Sequence, residues 1–310
     1  METRRDRSLY AELAGYRVPR LAMGCMALAI EGRPGSHTAV DTIHAALDAG
    51  VRYLDTAWSY YLPGRPGTGG PGERGYGERL VHDALATWDG PRDEVLIATK
   101  TGWLRTLDSR GAYGWKADAR PQTIIAQAKE SAMRLNVDCL SLLYSHCDDP
   151  ALPYADQMGA FRQLLDEGVV GHVGISRVGN DDIDIARSIL GTGLVAVQNQ
   201  FSPSSRDAGH TMGHCADLGL AFVCYSPLGG FLDSCDRSAY TVFQQIAALR
   251  DVSCQQVVLA WELSRHANLF TIPSARNPFE ARDCFAAQDL VLTDKDLALL
   301  ERGTVLSGAQ

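Results

Sequence analysis

The chain has 310 residues, of which 45% are hydrophobic and 21% charged, so it can fill a sizeable buried core. Its formal net charge of −8 argues against nucleic-acid binding, because proteins that bind a phosphate backbone usually present a basic face. The N-terminus is charged and no run of about 18 apolar residues occurs, so neither export nor a membrane span is expected. The eight cysteines form no C-x-x-C pair, which is typical of reduced thiols in the cytoplasm.

Short apolar segments alternate with longer segments of helical period, which predicts repeated β-α units around a parallel sheet. Eight strands are expected, at residues 20–24, 51–55, 95–100, 140–146, 172–176, 195–198, 221–225 and 269–273. Helices are expected at residues 38–49, 78–86, 123–135, 155–167, 181–190, 207–218, 243–249 and 254–264. Eight such units favour a closed (β/α)8 TIM barrel, and the absence of a linker predicts a single domain over residues 1–310.

Three of the predicted strands end in an ionisable side chain. Asp55 ends the second strand, Lys100 the third and His146 the fourth, and Tyr60 follows Asp55 by five residues. The carboxyl ends of parallel strands meet at one face of a barrel, so these four groups are expected to form one site. An ammonium group near a phenol lowers the pKa of that phenol, and a carboxylate fixes the ammonium in place.

This combination suits the reduction of a carbonyl group. Tyr60 is expected to donate the proton, Lys100 to tune its acidity, Asp55 to hold the lysine, and His146 to hydrogen-bond the carbonyl oxygen. Each feature also occurs in purely structural roles, since a buried Asp–Lys pair or a single histidine after a strand is common. It is the presence of four such groups at expected strand ends that favours catalysis.

Tyr61 and Tyr76 are rival candidates for the proton donor, because both adjoin the loop that follows the second strand. Side chains alternate along an extended chain, so Tyr61 is expected to point away from Tyr60. Tyr76 lies beyond a segment rich in glycine and proline, residues 62–75. The spacing from Asp55 therefore favours Tyr60.

Several motifs, in this order, resemble the aldo-keto reductase family over nearly the whole chain. They are Asp55-Thr56-Ala57 with Tyr60, Thr99-Lys100, Arg134-Leu135 with Asp138 and His146, residues 171–176, Gln198, residues 225–229 and residues 272–276. The resemblance implies a barrel enzyme that reduces carbonyl groups by hydride transfer from a nicotinamide cofactor, without a metal. It also implies that Asp55, Tyr60, Lys100 and His146 are the catalytic residues.

The resemblance further implies a cofactor site in the second half of the barrel. The expected cofactor-binding residues are Ser176, Gln198, Tyr225, Ser226, Leu228, Gly229, Ser274 and Arg276. Ser176 and Gln198 would hydrogen-bond the carboxamide, Tyr225 would stack on the nicotinamide ring, and the backbone of residues 226–229 would reach the pyrophosphate.

The choice between NADP(H) and NAD(H) depends on the last motif. Arg276 suits a 2′-phosphate and favours NADP(H), whereas Glu280 suits a 2′-hydroxyl and keeps NAD(H) open. Cys284 also replaces an asparagine that is frequent in relatives. Arg177 is a further departure, because relatives commonly carry asparagine after the serine at residue 176. A solvated arginine is the simpler interpretation, and contact with a substrate carboxylate or phosphate is the alternative.

The substrate is expected to be a small carbonyl or alcohol compound, selected by the loops at the carboxyl face of the barrel. These loops are residues 26–35, 62–75, 102–120 and 231–240. The third of these loops carries the aromatic residues Trp103, Tyr113 and Trp115. Together with Trp58, these side chains are expected either to line a pocket for an aromatic or cyclic substrate or to pack over the barrel rim. The sequence leaves the oligomeric state open.

Two alternative functions remain open at this stage. The first is a reductase of a specialised cyclic metabolite or sugar in a biosynthetic pathway, acting also on an activated C=C bond. The second is a regulatory or channel-associated subunit that senses the redox state of nicotinamide. A metal hydrolase is disfavoured, because no histidine pair with ligand spacing stands at a predicted strand end.

Overall fold

The computed structural model describes residues 9–64, 73–207, 209–230 and 237–306. The strands in these ranges are β1 (Tyr10–Leu13), β2 (Tyr16–Pro19), β3 (Met23–Gly24), β4 (Tyr53–Asp55), β5 (Leu96–Thr101), β6 (Trp103–Leu107), β7 (Tyr113–Ala117), β8 (Leu142–Ser145), β9 (Val173–Ser176), β10 (Leu194–Gln200), β11 (Ala221–Tyr225) and β12 (Leu269–Thr271). The α-helices are α1 (Ser36–Asp48), α2 (Tyr76–Thr87), α3 (Pro121–Leu135), α4 (Tyr154–Asp166), α5 (Asn180–Leu190), α6 (Thr211–Asp217), α7 (Thr241–Arg250), α8 (Cys254–Leu263), α9 (Pro278–Phe285) and α10 (Asp294–Leu306).

Eight parallel strands form the central sheet, in the order β3, β4, β5, β8, β9, β10, β11, β12. The sheet closes on itself through a parallel bridge between Leu21 and Thr271. The backbone N–H of Ala22 donates to the carbonyl oxygen of Thr271 at 2.9 Å, and that of Gly24 donates to Pro273 at 2.9 Å. Each of the eight predicted strands coincides with one of these strands, so the predicted (β/α)8 barrel is confirmed.

Alternation of side chains along the strands separates two apolar layers. Tyr53, Tyr144 and Phe270 are fully buried in the cluster inside the barrel. Their sequence neighbours Leu54 and Leu143 belong to the larger cluster between the strands and the surrounding helices. Since both layers are apolar, the strands read as nearly continuous hydrophobic segments in the sequence.

Two antiparallel hairpins were not expected from the sequence. The β1–β2 hairpin places Leu13 and Val18 in the interior cluster of the barrel. The β6–β7 hairpin pairs Trp103 with Ala117 and Leu107 with Tyr113, within a segment predicted to be a loop. Asp108 marks the turn between β6 and β7, because its carboxylate accepts hydrogen bonds from the N–H groups of residues 110 and 112.

All eight predicted helices are present, with small differences at their ends. Helix α6 begins at Thr211 rather than at residue 207, because the carboxylate of Asp207 accepts from the N–H groups of Thr211 and Met212 at 2.9 and 2.8 Å. Helices α9 and α10 were not predicted. The N-cap of α9 is Asn277, whose side chain accepts from the N–H of Glu280 at 2.9 Å.

No helix of the described ranges is both long and apolar enough to cross a membrane. Two predicted loops are described only in part, since residues 65–72 of the second loop and residues 231–236 of the fourth lie outside the described residues.

Gly174 on β9 provides a test of interior packing. It lies opposite Tyr144 of β8, and a Cβ atom at residue 174 would overlap the fully buried Tyr144 ring. Gly174→Ala is expected to lower the free energy of unfolding by roughly 1–3 kcal/mol, because overpacking forces the ring or the backbone to shift. Urea unfolding measures this change.

Gly171→Ala is the matched control for Gly174→Ala. A Cβ atom at residue 171 would meet its nearest neighbour at 3.5 Å, an ordinary contact distance. Equal free energies of unfolding for the two variants would contradict the proposed close packing of β8 against β9.

Candidate active site

A buried ion pair between Asp55 and Lys100 lies at the carboxyl end of the barrel. Their side chains are 2% and 1% exposed. The Lys100 Nζ also donates to the carbonyl oxygen of Thr56 at 2.8 Å and to the Tyr60 hydroxyl at 3.3 Å. The ammonium therefore has an acceptor for each of its three N–H groups. The second oxygen of Asp55 accepts from the Gln198 Nε2 at 2.8 Å.

Burial and charge act in opposite directions on the two proton-carrying groups. Burial by itself lowers the pKa of Lys100, but the charge of Asp55 and then Tyr60 raises it, and the pKa stands above its ordinary value. Lys100 is therefore charged at neutral pH. Burial raises the pKa of the Tyr60 phenol, and Lys100 opposes this only in part. The expectation that this phenol has a lowered pKa is wrong for the protein without ligands, because burial outweighs the ammonium.

Tyr60 lines the main cavity, whereas its two rivals pack elsewhere. The Tyr61 ring lies edge-on to Trp58 with centroids 5.8 Å apart, and the guanidinium of Arg33 lies 4.0 Å from the centre of the Tyr76 ring. Trp58 is also turned away from the cavity, since its Nε1 donates to Glu130 at 2.8 Å. The geometry thus brings Tyr60, and neither rival, together with Lys100.

The start of helix α2 holds Tyr60 in place, a contribution that sequence reasoning missed. The N–H of Gly77 donates to the Tyr60 carbonyl oxygen at 2.9 Å, and a Cβ atom at residue 77 would lie 3.0 Å from the Tyr60 Cβ. The adjacent Glu78 is fully buried and accepts from Thr99 at 2.7 Å and from Arg134 at 3.0 Å. The sequence signal for this contribution is the Tyr-Gly-Glu triplet at residues 76–78.

His146 follows β8 and faces the same cavity. Its ring centroid lies 5.7 Å from that of Tyr60 and 4.7 Å from that of Trp103. Its Nδ1 is 3.4 Å from the Ser59 hydroxyl. Burial, followed by the positive charges of Lys100 and Arg177, lowers the pKa of His146 well below its ordinary value. The imidazole is therefore neutral at pH 7.

The cavity has a volume of about 660 Å³ and extends from Tyr60 and His146 across the second half of the barrel. Its walls include seven of the eight expected cofactor-binding residues: Ser176, Gln198, Tyr225, Ser226, Leu228, Ser274 and Arg276. Gly229 does not line the cavity, and its neighbour Gly230 does. The N–H of Gly229 instead closes the predicted turn by donating to the Ser226 carbonyl oxygen at 3.0 Å.

Gly24 is a cavity residue that sequence reasoning missed. A Cβ atom there would lie 2.8 Å from the Ile272 carbonyl oxygen and 3.0 Å from the Ser274 hydroxyl. A side chain at residue 24 would not fit between the end of β3 and the segment after β12, so glycine at this position keeps the cavity open toward Arg276.

The β6–β7 hairpin forms an aromatic wall of the cavity. The Trp103 and Trp115 rings stack with centroids 4.9 Å apart, and both line the cavity together with Tyr113. The hairpin is tied to the loop after β3 by an ion pair between Arg105, whose side chain is fully buried, and Glu31. The third loop of the sequence analysis therefore provides both pocket lining and packing, which had been posed as alternatives.

Arg177 lies at the junction of this wall and the expected nicotinamide site. It is exposed, but its guanidinium carbon lies 4.4 Å from the centre of the Trp103 ring and 5.2 Å from that of Tyr225. Its backbone has a φ of 63°, a left-handed conformation that costs a side chain of this kind roughly 1–3 kcal/mol. The interpretation of Arg177 as a solvated loop residue is therefore incomplete, because aromatic rings hold the guanidinium at the cavity.

Comparison with known proteins agrees with this fold. A model of the aldo/keto reductase family matches residues 20–303, so the chain belongs to this family of nicotinamide-dependent oxidoreductases. A probable aldo-keto reductase of Glycine max is 27% identical, over 91% of this chain and 84% of its own length.

Solved structures of the same family share the fold. A glycerol dehydrogenase from Gluconobacter oxydans matches with a TM-score of 0.77 and 22% identity, over 96% of each chain. An aldo-keto reductase from Klebsiella pneumoniae, solved in complex with NADPH, matches with a TM-score of 0.71 and 23% identity, over 92% of this chain and 91% of its own.

Acidification is expected to destabilise the protein through His146. The pKa of an unfolded histidine is about 6.5, and in the folded protein that of His146 is well below this value. Between the two values the unfolded chain binds more protons, so the free energy of unfolding falls as the pH drops below about 6.5, by up to about 1.4 kcal/mol per pH unit. Urea unfolding near pH 7 and near pH 5.5 measures this loss.

His146→Gln is expected to reduce that loss by about 1 kcal/mol, because it removes the group that takes up the proton. His37→Gln is the matched control, since the His37 side chain is 91% exposed. If acidification lowers the free energy of unfolding equally in wild type and in His146→Gln, the conclusion that His146 is buried in its neutral form is contradicted.

Proposed function

We propose that this protein is an NADP(H)-dependent carbonyl reductase in which Tyr60 donates a proton to the carbonyl oxygen. The observation that carries the proposal is the continuous set of contacts from Asp55 through Lys100 to the Tyr60 hydroxyl, which opens into the cavity that His146 also lines. An arrangement of this kind suits a reaction in which an oxygen atom gains negative charge and then a proton.

Lys100 and Asp55 serve Tyr60 in this proposal. The raised pKa of Tyr60 keeps the phenol protonated before reaction, so a proton is available at neutral pH. When Tyr60 gives up this proton, the Lys100 ammonium at 3.3 Å stabilises the resulting phenolate. Asp55 keeps the ammonium charged and directed, because it is buried beside it and raises its pKa.

His146 positions and polarises the carbonyl group. As a neutral imidazole it carries one N–H, which would donate to the carbonyl oxygen as negative charge develops there. The rings of Trp103 and Trp115 border the same region and limit the access of water.

The residues of the second half of the barrel fit a nicotinamide dinucleotide. The Ser176 hydroxyl donates to the Gln198 carbonyl oxygen at 2.7 Å, which leaves its lone pairs to accept from a carboxamide N–H. The Tyr225 ring offers a stacking surface, and the turn from Ser226 allows the backbone to approach a pyrophosphate. When bound, the reduced cofactor supplies the hydride that adds to the carbonyl carbon.

The preference for NADP(H) rests on Arg276 and Glu280, which both line the far end of the cavity. One Glu280 oxygen accepts from the backbone N–H of Arg276 at 2.8 Å. This bond reduces the capacity of the carboxylate to accept from a ribose hydroxyl, the contact that favours NAD(H). The Arg276 guanidinium suits a 2′-phosphate, and the Klebsiella pneumoniae relative was solved with NADPH.

Replacement of the proton donor tests the proposed chemistry. Tyr60→Phe is expected to lower kcat for aldehyde reduction by roughly 10²–10⁴-fold, because the acid is lost, while the affinity for NADPH changes little. Tyr61→Phe is the matched control and should retain activity. Steady-state assays with aromatic aldehydes, together with fluorescence titration of NADPH, measure both quantities. Full activity of Tyr60→Phe would refute the assignment.

The coenzyme preference is tested separately at Arg276. Arg276→Ala is expected to weaken NADPH binding by roughly 10–100-fold, as expected for loss of charge-assisted hydrogen bonds, and NADH binding by much less. Arg162→Ala, which removes an exposed arginine of helix α4, should change neither affinity. Equal losses for the two coenzymes in Arg276→Ala would contradict the assignment.

A further inference from the structure

Arg177 is an unpaired cation among the described residues at the reacting end of the cavity. The carboxylates that line the cavity in these ranges have contacts with the protein: Asp55 with Lys100, Glu31 with Arg105, and Glu280 with the backbone of Arg276. The acidic side chains after His146 are likewise engaged, since Asp148 accepts from Gln157 and Asp149 from the N–H groups of residues 119 and 151. No described carboxylate lies within ion-pair distance of Arg177.

Aromatic rings, rather than a carboxylate, hold the Arg177 guanidinium. It lies over the faces of Trp103 and Tyr225, at 4.4 and 5.2 Å from their centres. A guanidinium held beside aromatic rings rather than by a carboxylate retains N–H groups that can bind an oxyanion in bidentate fashion. The group is thus oriented while its hydrogen-bonding capacity is unused.

The position of Arg177 relates it to the reacting atoms. Trp103, which contacts its guanidinium, also lies 4.7 Å from His146 between ring centroids. The positive charge of Arg177 acts on both groups, because it adds to the lowering of the pKa of His146 and partly opposes the raised pKa of Tyr60. A ligand group bound to Arg177 would therefore sit beside the carbonyl site, away from the expected phosphate contacts at Arg276.

The backbone at residue 177 adds an independent observation. Its φ of 63° lies in the left-handed region, which asparagine adopts more readily than arginine. Asparagine would also remove the positive charge. The strained arginine at a cavity wall points to a functional requirement for the guanidinium itself.

We propose that Arg177 binds an oxyanion carried by the carbonyl substrate, so that the enzyme prefers carbonyl compounds with a carboxylate or phosphate near the reacting group. This inference rests on the proposed carbonyl reductase function and narrows its substrate class. Because the chain as a whole is acidic, with a formal charge of −8, selection of an anionic substrate depends on this local cation.

The test compares para-formylbenzoate with its neutral methyl ester in wild type and in Arg177→Asn. The wild type is expected to show a higher kcat/KM for the acid than for the ester. Arg177→Asn should lower the acid-to-ester ratio by roughly tenfold or more, mainly through a higher KM for the acid, and should affect the ester much less than the acid. Para-formylphenyl phosphate in the same assay distinguishes a phosphate preference from a carboxylate preference.

Three controls separate this role from a structural one. Arg177→Lys should retain part of the preference for the acid over the ester, because lysine keeps the charge but not the bidentate geometry. Arg110→Asn removes an exposed arginine outside the cavity and should retain the full preference for the acid. Raising the salt concentration should lower the ratio more in wild type than in Arg177→Asn, since the attractive contact that salt screens is present only in wild type.

A binding measurement keeps this inference distinct from the proposed function. Benzoate is titrated into the NADP⁺-saturated protein by tryptophan fluorescence, and Arg177→Asn is expected to weaken its binding by roughly tenfold. Absence of turnover on every aldehyde would refute the reductase proposal while this titration still reports on the oxyanion site.

An unchanged acid-to-ester ratio with unchanged benzoate binding in Arg177→Asn would overturn the inference. The inference would also be overturned if Arg177→Asn lowered kcat/KM equally for the acid and the ester and weakened NADPH binding, because Arg177 would then contact the cofactor.

Discussion

The buried ion pair of Asp55 and Lys100 is the constraint on which the rest of the site depends. Two charges with almost no solvent exposure are stable only when every polar atom finds a partner. Those partners are the Thr56 carbonyl and the Tyr60 hydroxyl, which lie in the segment after β4, and the Gln198 amide of β10. Satisfying one ion pair therefore brings the proposed proton donor and a proposed cofactor contact to the same place.

The cavity around this pair is shaped by elements outside the barrel repeat. The β6–β7 hairpin supplies stacked tryptophans, and its Arg105 ties it to Glu31 across the entrance. The start of helix α2 approaches Tyr60 closely, since a Cβ atom at residue 77 would lie 3.0 Å from the Tyr60 Cβ. In an (β/α)8 barrel the strands set the positions of the charged groups, whereas the loops that connect strands to helices set the size and chemistry of the pocket.

Competition between burial and charge decides how the titratable groups behave. Burial keeps His146 neutral and the Tyr60 phenol protonated, while Asp55 keeps Lys100 charged in spite of its burial. A neutral imidazole, a protonated phenol and an ammonium are the forms that the proposed carbonyl reduction requires.

The amino-acid sequence by itself determined the eight barrel strands and the ionisable groups at their ends, because strand periodicity and strand ends are local properties. Seven of the eight cofactor-binding residues expected from the sequence line the cavity. Only the tertiary structure decided the hairpin of β6 and β7, the burial that raises the pKa of Tyr60, and the stacking of Arg177 on Trp103. These features arise from contacts between residues distant in the chain, which no local pattern encodes.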